Sequence, residues 1–396
     1  MSQPIRVVVV DDSALARRVI TGLLEQDPAI RVVGAAHNGR VAIDLVKDLR
    51  PDIVTMDVRM PVMDGLATTE HLMAYCPTPI LVLTASLASH DVDITFKMLG
   101  AGALEVIEKP SGDNPLALER AGRTLIRRVK VLSRVRVVTH LRGRRRSPKG
   151  LALPKETRSI VLEDKEIRRR GDKERELQSR LLVSSPPRLP VSAAGPDFPI
   201  IVIGASTGGP RIVNQVLADL PSDLPAGVLV VQHIAAGFSA GLAEWLAHSC
   251  KLPVVLAREG QPIRPGAVLV APDQRDLLIT QDGTVHLSKN PLLIQRPSID
   301  ISMQAAAEFF GPRAIGVLLT GMGRDGAYGM LTIRRAKGYT IAQDELTSTI
   351  FGMPRAAIQL GAAREVLPAL DIARRLVGLV GESAAPSGAQ PGRANQ

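Results

Sequence analysis

Between residues 5 and 110, short runs of β-branched residues alternate with amphipathic stretches. The runs occupy 5–10, 31–35, 52–56, 80–84 and 104–107. Helical patterns fill 14–26 and 40–49, and a last one spans about 115–131. Strands that alternate with helices predict parallel pairing through right-handed crossovers. Five such units predict a flavodoxin-like α/β domain with a five-stranded parallel sheet, whose ligands sit at the carboxyl ends of the strands. The pattern lapses from 132 to 196 and resumes at Phe198, with runs at 198–203, 227–232, 267–271 and 314–320. These predict a second doubly wound, mostly parallel α/β domain. A hairpin with a primed turn is expected at Gln281-Asp282-Gly283. The chain thus divides into a first domain over 1–128, a basic flexible linker over 129–196, a second domain over 197–384 and a disordered tail over 385–396.

Composition sharpens this picture. Hydrophobic residues make up 45% of the chain but aromatics only 3%, so the cores must be built from Val, Leu, Ile and Ala. That suits parallel sheets buried on both faces. Two distant cysteines, Cys76 and Cys250, make no disulfide framework, which favours a reducing compartment. The first apolar run is too short for a signal peptide and leads straight into Asp11. No apolar stretch approaches the roughly 18 residues of a membrane span. A cytoplasmic protein is expected.

The net charge of +10 would suggest nucleic acid if it lay on a folded face. It does not. Between 134 and 180 there are 16 Lys and Arg against 7 Asp and Glu, so nearly all the excess sits in the linker. Such a segment serves as a solvated spacer or docks on an acidic surface. No nucleic-acid partner is expected.

Three carboxylates fall at the ends of predicted strands: Asp11 and Asp12 after the first, Asp57 after the third. Neighbouring ends of a parallel sheet bring them together, and crowded carboxylates repel. A hard divalent cation such as Mg²⁺ relieves that repulsion. Thr84 ends the fourth strand and Lys109 follows the fifth. Metal, carboxylate nucleophile, hydroxyl and ammonium are the parts an aspartyl phosphate needs. The stretches Val9-Val10-Asp11-Asp12-Ser13, Met56-Asp57-Val58-Arg59-Met60-Pro61, Thr84-Ala85 and Glu108-Lys109-Pro110 resemble the response-regulator receiver family. The resemblance implies phosphorylation of Asp57 by a histidine kinase of a chemosensory system. It also implies Mg²⁺ held by Asp12, Asp57 and the Arg59 carbonyl, beside Asp11. Receivers commonly carry Phe or Tyr where this chain has Val106, so coupling from Thr84 to the surface is expected to differ.

The first strand of the second domain ends in Ile203-Gly204-Ala205-Ser206-Thr207-Gly208-Gly209-Pro210. A strand, a glycine turn and a helix present backbone N–H groups at a helix N-terminus. They can serve a phosphate loop or an oxyanion hole beside a serine nucleophile, and the turn alone does not choose. Gln232-His233 follows the second strand, and Gly321-Met322-Gly323-Arg324-Asp325-Gly326 follows the run at 314–320. Ser206, His233 and Asp325 can therefore meet at one sheet edge as nucleophile, base and orienting acid, a set that needs no cofactor.

The same stretches, with Leu242-Ala243-Glu244-Trp245-Leu246, Arg296-Pro297-Ser298-Ile299-Asp300 and Phe351-Gly352-Met353-Pro354, resemble the chemotaxis-type protein-glutamate methylesterase family. That resemblance implies hydrolysis of glutamate methyl esters on methyl-accepting chemoreceptors, with glutamine deamidation in some members. It places Thr207 and Met322 at the oxyanion site and has the unphosphorylated receiver cover the active-site face. Contact with membranes would be peripheral, through the receptors. The family often has His where this chain has Asp276. A DNA-binding output half is disfavoured, because three polar strand ends and no evident helix-turn-helix are present. The intact Ser, His and Asp set argues against a catalytically dead scaffold.

Overall fold

A computed structural model describes residues 3–85, 89–110, 114–135, 137, 196–289 and 297–384. Most of the basic linker and the C-terminal tail lie outside the described residues, as does Arg296.

The first sheet contains β1 (Ile5–Val10), β2 (Ile30–Ala36), β3 (Ile53–Asp57), β4 (Ile80–Thr84) and β5 (Glu105–Glu108). Its order is β2-β1-β3-β4-β5, and every pairing is parallel. Helices α1 (Ala14–Leu24), α2 (Gly39–Leu49), α3 (Gly65–Tyr75), α4 (Ser89–Ala101) and α5 (Pro115–Leu132) connect and close it. Val7, Val8, Val9 and Val10 are all buried, as expected of a central strand covered on both faces. Each such side chain contributes about 1.5–3 kcal/mol by leaving water. Side-chain caps start the helices: Ser13 accepts from Ala16 N, Asn38 from Val41 N and Asp64 from Ala67 N. Such caps satisfy N–H groups that the first turn leaves without partners.

The second sheet has seven strands: β6 (Ile200–Ala205), β7 (Gly227–Gln232), β8 (Val254–Leu256), β9 (Val268–Val270), β12 (Ala314–Leu318), β13 (Tyr339–Gln343) and β14 (Glu365–Leu367). The order is β14-β13-β12-β6-β7-β9-β8, again parallel throughout. A separate antiparallel pair joins β10 (Asp276–Ile279) and β11 (Val285–Ser288). The helices are α6 (Gly209–Ala218), α7 (Ser239–Ala247), α8 (Ile299–Phe310), α9 (Ala327–Arg335), α10 (Met353–Gln359) and α11 (Ala369–Ala384). The chain runs outward from β6 through β7 and returns to β12 on the other side of β6. The strand order reverses there, and a crevice opens at the carboxyl ends of such neighbours.

Two expectations are corrected. The hairpin turn is not primed: Gly283 has φ +78°, while Gln281 and Asp282 are not among the positive-φ residues. Gly283 N donates to Thr280 O, and Thr280 N donates to Thr284 O. This is a type I turn closed by a left-handed glycine, the usual three-residue solution. The strand expected at 314–320 stops at Leu318. Thr320 is instead pinned by side chains, with its N–H on Gln343 Oε1 and its hydroxyl on Thr207 O. Strands β8, β13 and β14 were not anticipated. Two of them are three-residue edge strands, too short to leave a periodic signal.

The two sheets meet through α4 and α7. Phe96 stacks on Trp245 with centroids 5.6 Å apart and meets Phe238 edge-on at 6.5 Å. A Cβ on Gly241 would stand 1.8 Å from Val92 Cγ1, so a glycine is required for this approach. Among the described residues no helix is long and apolar enough to cross a membrane.

Candidate functional site

In the first domain the predicted acids converge. Ligand oxygens of Asp11, Asp12 and Asp57 lie within 4.8 Å of one another. The ends of β1 and β3 are adjacent in the sheet, which accounts for the convergence. Lys109 Nζ stands 2.7 Å from Asp11 Oδ2 and 3.0 Å from Asp57 Oδ2. The Lys109 backbone N–H donates to the Thr84 carbonyl at 2.7 Å, tying the hydroxyl-bearing and ammonium-bearing strand ends together. Burial pushes the Asp57 carboxyl up, and the Asp11 charge adds to this; Lys109 opposes them without cancelling them. Burial would depress Lys109, but its bonds to Asp11 and Asp57 hold the ammonium above its ordinary range. Three carboxylates against one ammonium leave negative charge uncompensated, and an all-oxygen set open on the Asp12 side fits a hard divalent cation. Arg59 lies exposed in the loop after Asp57. Val106 is buried in the core.

In the second domain, Ser206 follows β6, His233 follows β7, and Asp325 lies beyond β12. His233 Nε2 is 2.7 Å from Asp325 Oδ2, with side-chain exposures of 11% and 10%. His233 Nδ1 is buried and hydrogen-bonds to nothing among the described residues. With Nε2 carrying the proton shared with Asp325, Nδ1 is the nitrogen left to act as base. Ser206 is 8% exposed and is not hydrogen-bonded to His233. Catalytic hydrogen bonds often tighten only when substrate is present.

Backbone and amide contacts hold the three residues in place. Ser206 N donates to Thr320 O at 3.0 Å, and His233 N donates to Ala205 O at 2.9 Å. Gln232 Nε2 donates at 2.8 Å to the carbonyls of both Ser206 and His233. Asp325 accepts from Ile299 N at 2.8 Å, Asp300 N at 2.9 Å and Ser298 Oγ at 3.1 Å. Burial alone would raise the Asp325 carboxyl, but the hydrogen bond and charge of His233, with these N–H donors, hold it below its usual range.

Thr207 and Met322 flank Ser206 and Gly321. Gly321 permits no side chain, because its Cβ would lie 2.7 Å from Ser206 Cβ and 2.3 Å from Met353 Sδ. Gly208 adopts φ +74° and starts α6.

The first domain reaches this site directly. Thr207 Oγ1 donates to Glu105 Oε2 at 2.9 Å, and Gly208 N donates to the Leu104 carbonyl at 3.2 Å. Glu105 Oε1 also pairs with Arg128 Nε at 3.1 Å. Met322 and Ile350 pack into the hydrophobic cluster of Leu104 and Ile107. Glu105, Gln232, Ser298 and Asp300 were given no role from sequence. Ser298, a cap residue ahead of an apolar helix with an acid in its first turn, carried a readable signal.

Residues 7–119 match the response regulator receiver domain and residues 201–376 match the family described as CheB methylesterase. A protein-glutamate methylesterase/protein-glutamine glutaminase of Symbiobacterium thermophilum is 39% identical over 383 residues, covering 96% of this chain and 99% of that protein. A second, from Anaeromyxobacter dehalogenans, is 42% identical over 375 residues, covering 94% of this chain and 96% of its own length. The solved catalytic domain of Thermotoga maritima CheB methylesterase is 39% identical, with a TM-score of 0.45, and covers 46% of this chain and 99% of its own. With both domains matched and relatives aligned over nearly its whole length, the chain belongs to the protein-glutamate methylesterase/protein-glutamine glutaminase family, carrying a receiver ahead of its methylesterase domain.

Proposed function

We propose that this chain is a phosphorylation-activated protein-glutamate methylesterase that demethylates chemoreceptor glutamates and also deamidates receptor glutamines. Ser206 attacks the ester carbonyl, His233 takes its proton, and Asp325 orients His233 and stabilises the imidazolium. The proton then passes to the departing methoxide, and water activated by His233 releases the glutamate. A primary amide follows the same course with ammonia leaving. Thr207 and Met322 line the oxyanion site. The observation that carries this reading is the 2.7 Å bond between His233 and Asp325 beside Ser206 at one sheet edge.

Asp57 accepts the phosphoryl group from a histidine kinase, with Thr84 and Lys109 contacting the phosphate. Asp11, Asp12, Asp57 and the Arg59 carbonyl would hold Mg²⁺, which supplies positive charge to the phosphoryl oxygens. Without phosphate the receiver covers the esterase, through Glu105 on Thr207 and Leu104 on Gly208. The domains divide as 1–128, 197–384 and an intervening basic linker, and the protein works in the cytoplasm against the receptors' cytoplasmic face.

The test is methanol release from methylated receptor membranes by the full chain, with and without a small phosphodonor. Release that rises with phosphodonor supports the reading; no release in either condition refutes it.

A further inference from the structure

The residue before His233 is a glutamine that strand pairing brings up to the nucleophile. In the parallel register of β6 and β7, Gln232 stands opposite Ala205, and it is only 3% exposed. Its Nε2 donates to the Ser206 carbonyl at 2.8 Å and to the His233 carbonyl at 2.8 Å. A side-chain amide nitrogen carries two protons, so both are committed. The partners also fix the orientation of the amide. Turned over, it would set Oε1 against two carbonyl oxygens, acceptor against acceptor.

The Ser206 carbonyl accepts a second bond, from Gly209 N at 2.8 Å, so both its lone pairs are engaged. That oxygen belongs to the peptide group joining Ser206 to Thr207. A trans peptide is planar, and its C=O and N–H point in opposite directions. Holding the oxygen on the side of Gln232 therefore turns the Thr207 N–H to the other side. In a strand–turn–helix that presents a serine nucleophile, the N–H of the next residue serves as an oxyanion donor. A peptide free to rotate would offer a carbonyl oxygen there instead, which repels a developing oxyanion.

We propose that Gln232 is a positioning residue of the hydrolytic site. Its amide anchors the Ser206 carbonyl, keeps the Thr207 N–H turned out as an oxyanion donor, and ties the turn of the nucleophile to the strand end that carries the base. The proposal rests on reading Ser206 and His233 as nucleophile and base. Gly209 belongs to the same device. A Cβ there would lie 2.3 Å from Gln232 Oε1 and 2.8 Å from Ala205 Cβ. The glycine thus leaves room for the amide to reach both carbonyls. Its φ lies outside the left-handed region, so alanine at 209 meets a steric obstacle and no backbone strain.

The test uses the phosphodonor-activated full chain as parent, Gln232→Met and Gly209→Ala, assayed for methanol release from methylated receptor membranes. Methionine keeps the length of glutamine and removes both donors. Gln232→Met should lower kcat about 100-fold, the scale of a displaced nucleophile or a lost oxyanion donor, with KM within twofold of the parent. Gly209→Ala leaves the amide present but displaces it, so it should lower kcat in the same way. If the amide served the fold alone, Gln232→Met would melt at a lower temperature yet keep its kcat well below that temperature. That result, or a loss confined to KM, overturns the proposal. If Gln232→Met fails to fold, Gly209→Ala decides by the same two readings. A parent that releases no methanol sinks the esterase reading itself. A parent that releases it, with a folded Gln232→Met within twofold in kcat, sinks the positioning role alone.

Discussion

The Thr207 hydroxyl donates to the Glu105 carboxylate at 2.9 Å, so the residue beside the candidate nucleophile is bonded to the strand that leads to Lys109. Glu105 opens β5, and Lys109 follows the end of that strand. On the proposed function, removing this bond loosens the contact between the domains without altering Ser206, His233 or Asp325. Glu105→Ala should raise methanol release by the unphosphorylated protein about tenfold, the weight of one hydrogen bond to a charged group. Glu105→Gln, which can still accept, should raise it less. The check is the ratio of basal to phosphodonor-stimulated rate, which should approach one in the alanine variant.

Ser206→Ala should abolish release while leaving thermal unfolding unchanged, since no hydrogen bond of the described structure depends on that hydroxyl. His233→Ala should do the same. Asp325→Asn should lose roughly 10⁴-fold, as in the serine protease triad, because the amide favours the wrong imidazole tautomer. Single-turnover assays separate these losses from any change in receptor binding.

Gly321→Ala should be nearly as damaging to activity, although it adds only a methyl group. That methyl would press on Ser206 Cβ and Met353 Sδ, and a displaced nucleophile loses about 100-fold. A fall in kcat with KM kept would distinguish displacement from loss of substrate binding.

Asp57→Asn should prevent labelling by a phosphodonor and also stabilise the fold at neutral pH. The folded-state carboxyl lies above its ordinary 3.8, so the native state binds its proton more tightly than the unfolded chain. Stability is therefore lost as pH rises from that ordinary value through the folded value. The variant escapes this cost. Its advantage in unfolding temperature should be full at pH 7 and vanish below about pH 4, which melting curves across that range would detect.

The acidic pocket and the three strand-end residues were legible because each follows an apolar run, and parallel sheets gather such ends at one edge. The contacts that hold Asp325 were not. Ser298 acts through its hydroxyl and Asp300 through its backbone N–H, both at the start of a helix whose approach to the β12 loop is tertiary. Glu105 was hidden for the same reason, because its partner lies 102 residues away. The turn at Gly283 was misjudged because Asp-Gly suits more than one turn, and loop length decided. The three-residue edge strands carry too few residues to alternate.

Strand β6 pairs directly with β12, and this fixes an order of events during synthesis. Ser206 N closes onto Thr320 O, so a nascent chain that has not yet reached β12 lacks both Asp325 and this backbone contact of Ser206. Among the described residues the five strands of the receiver pair with one another alone, and domains fold from the N-terminus as the ribosome advances. On the proposed function, the domain that restrains is thus complete before the domain it restrains.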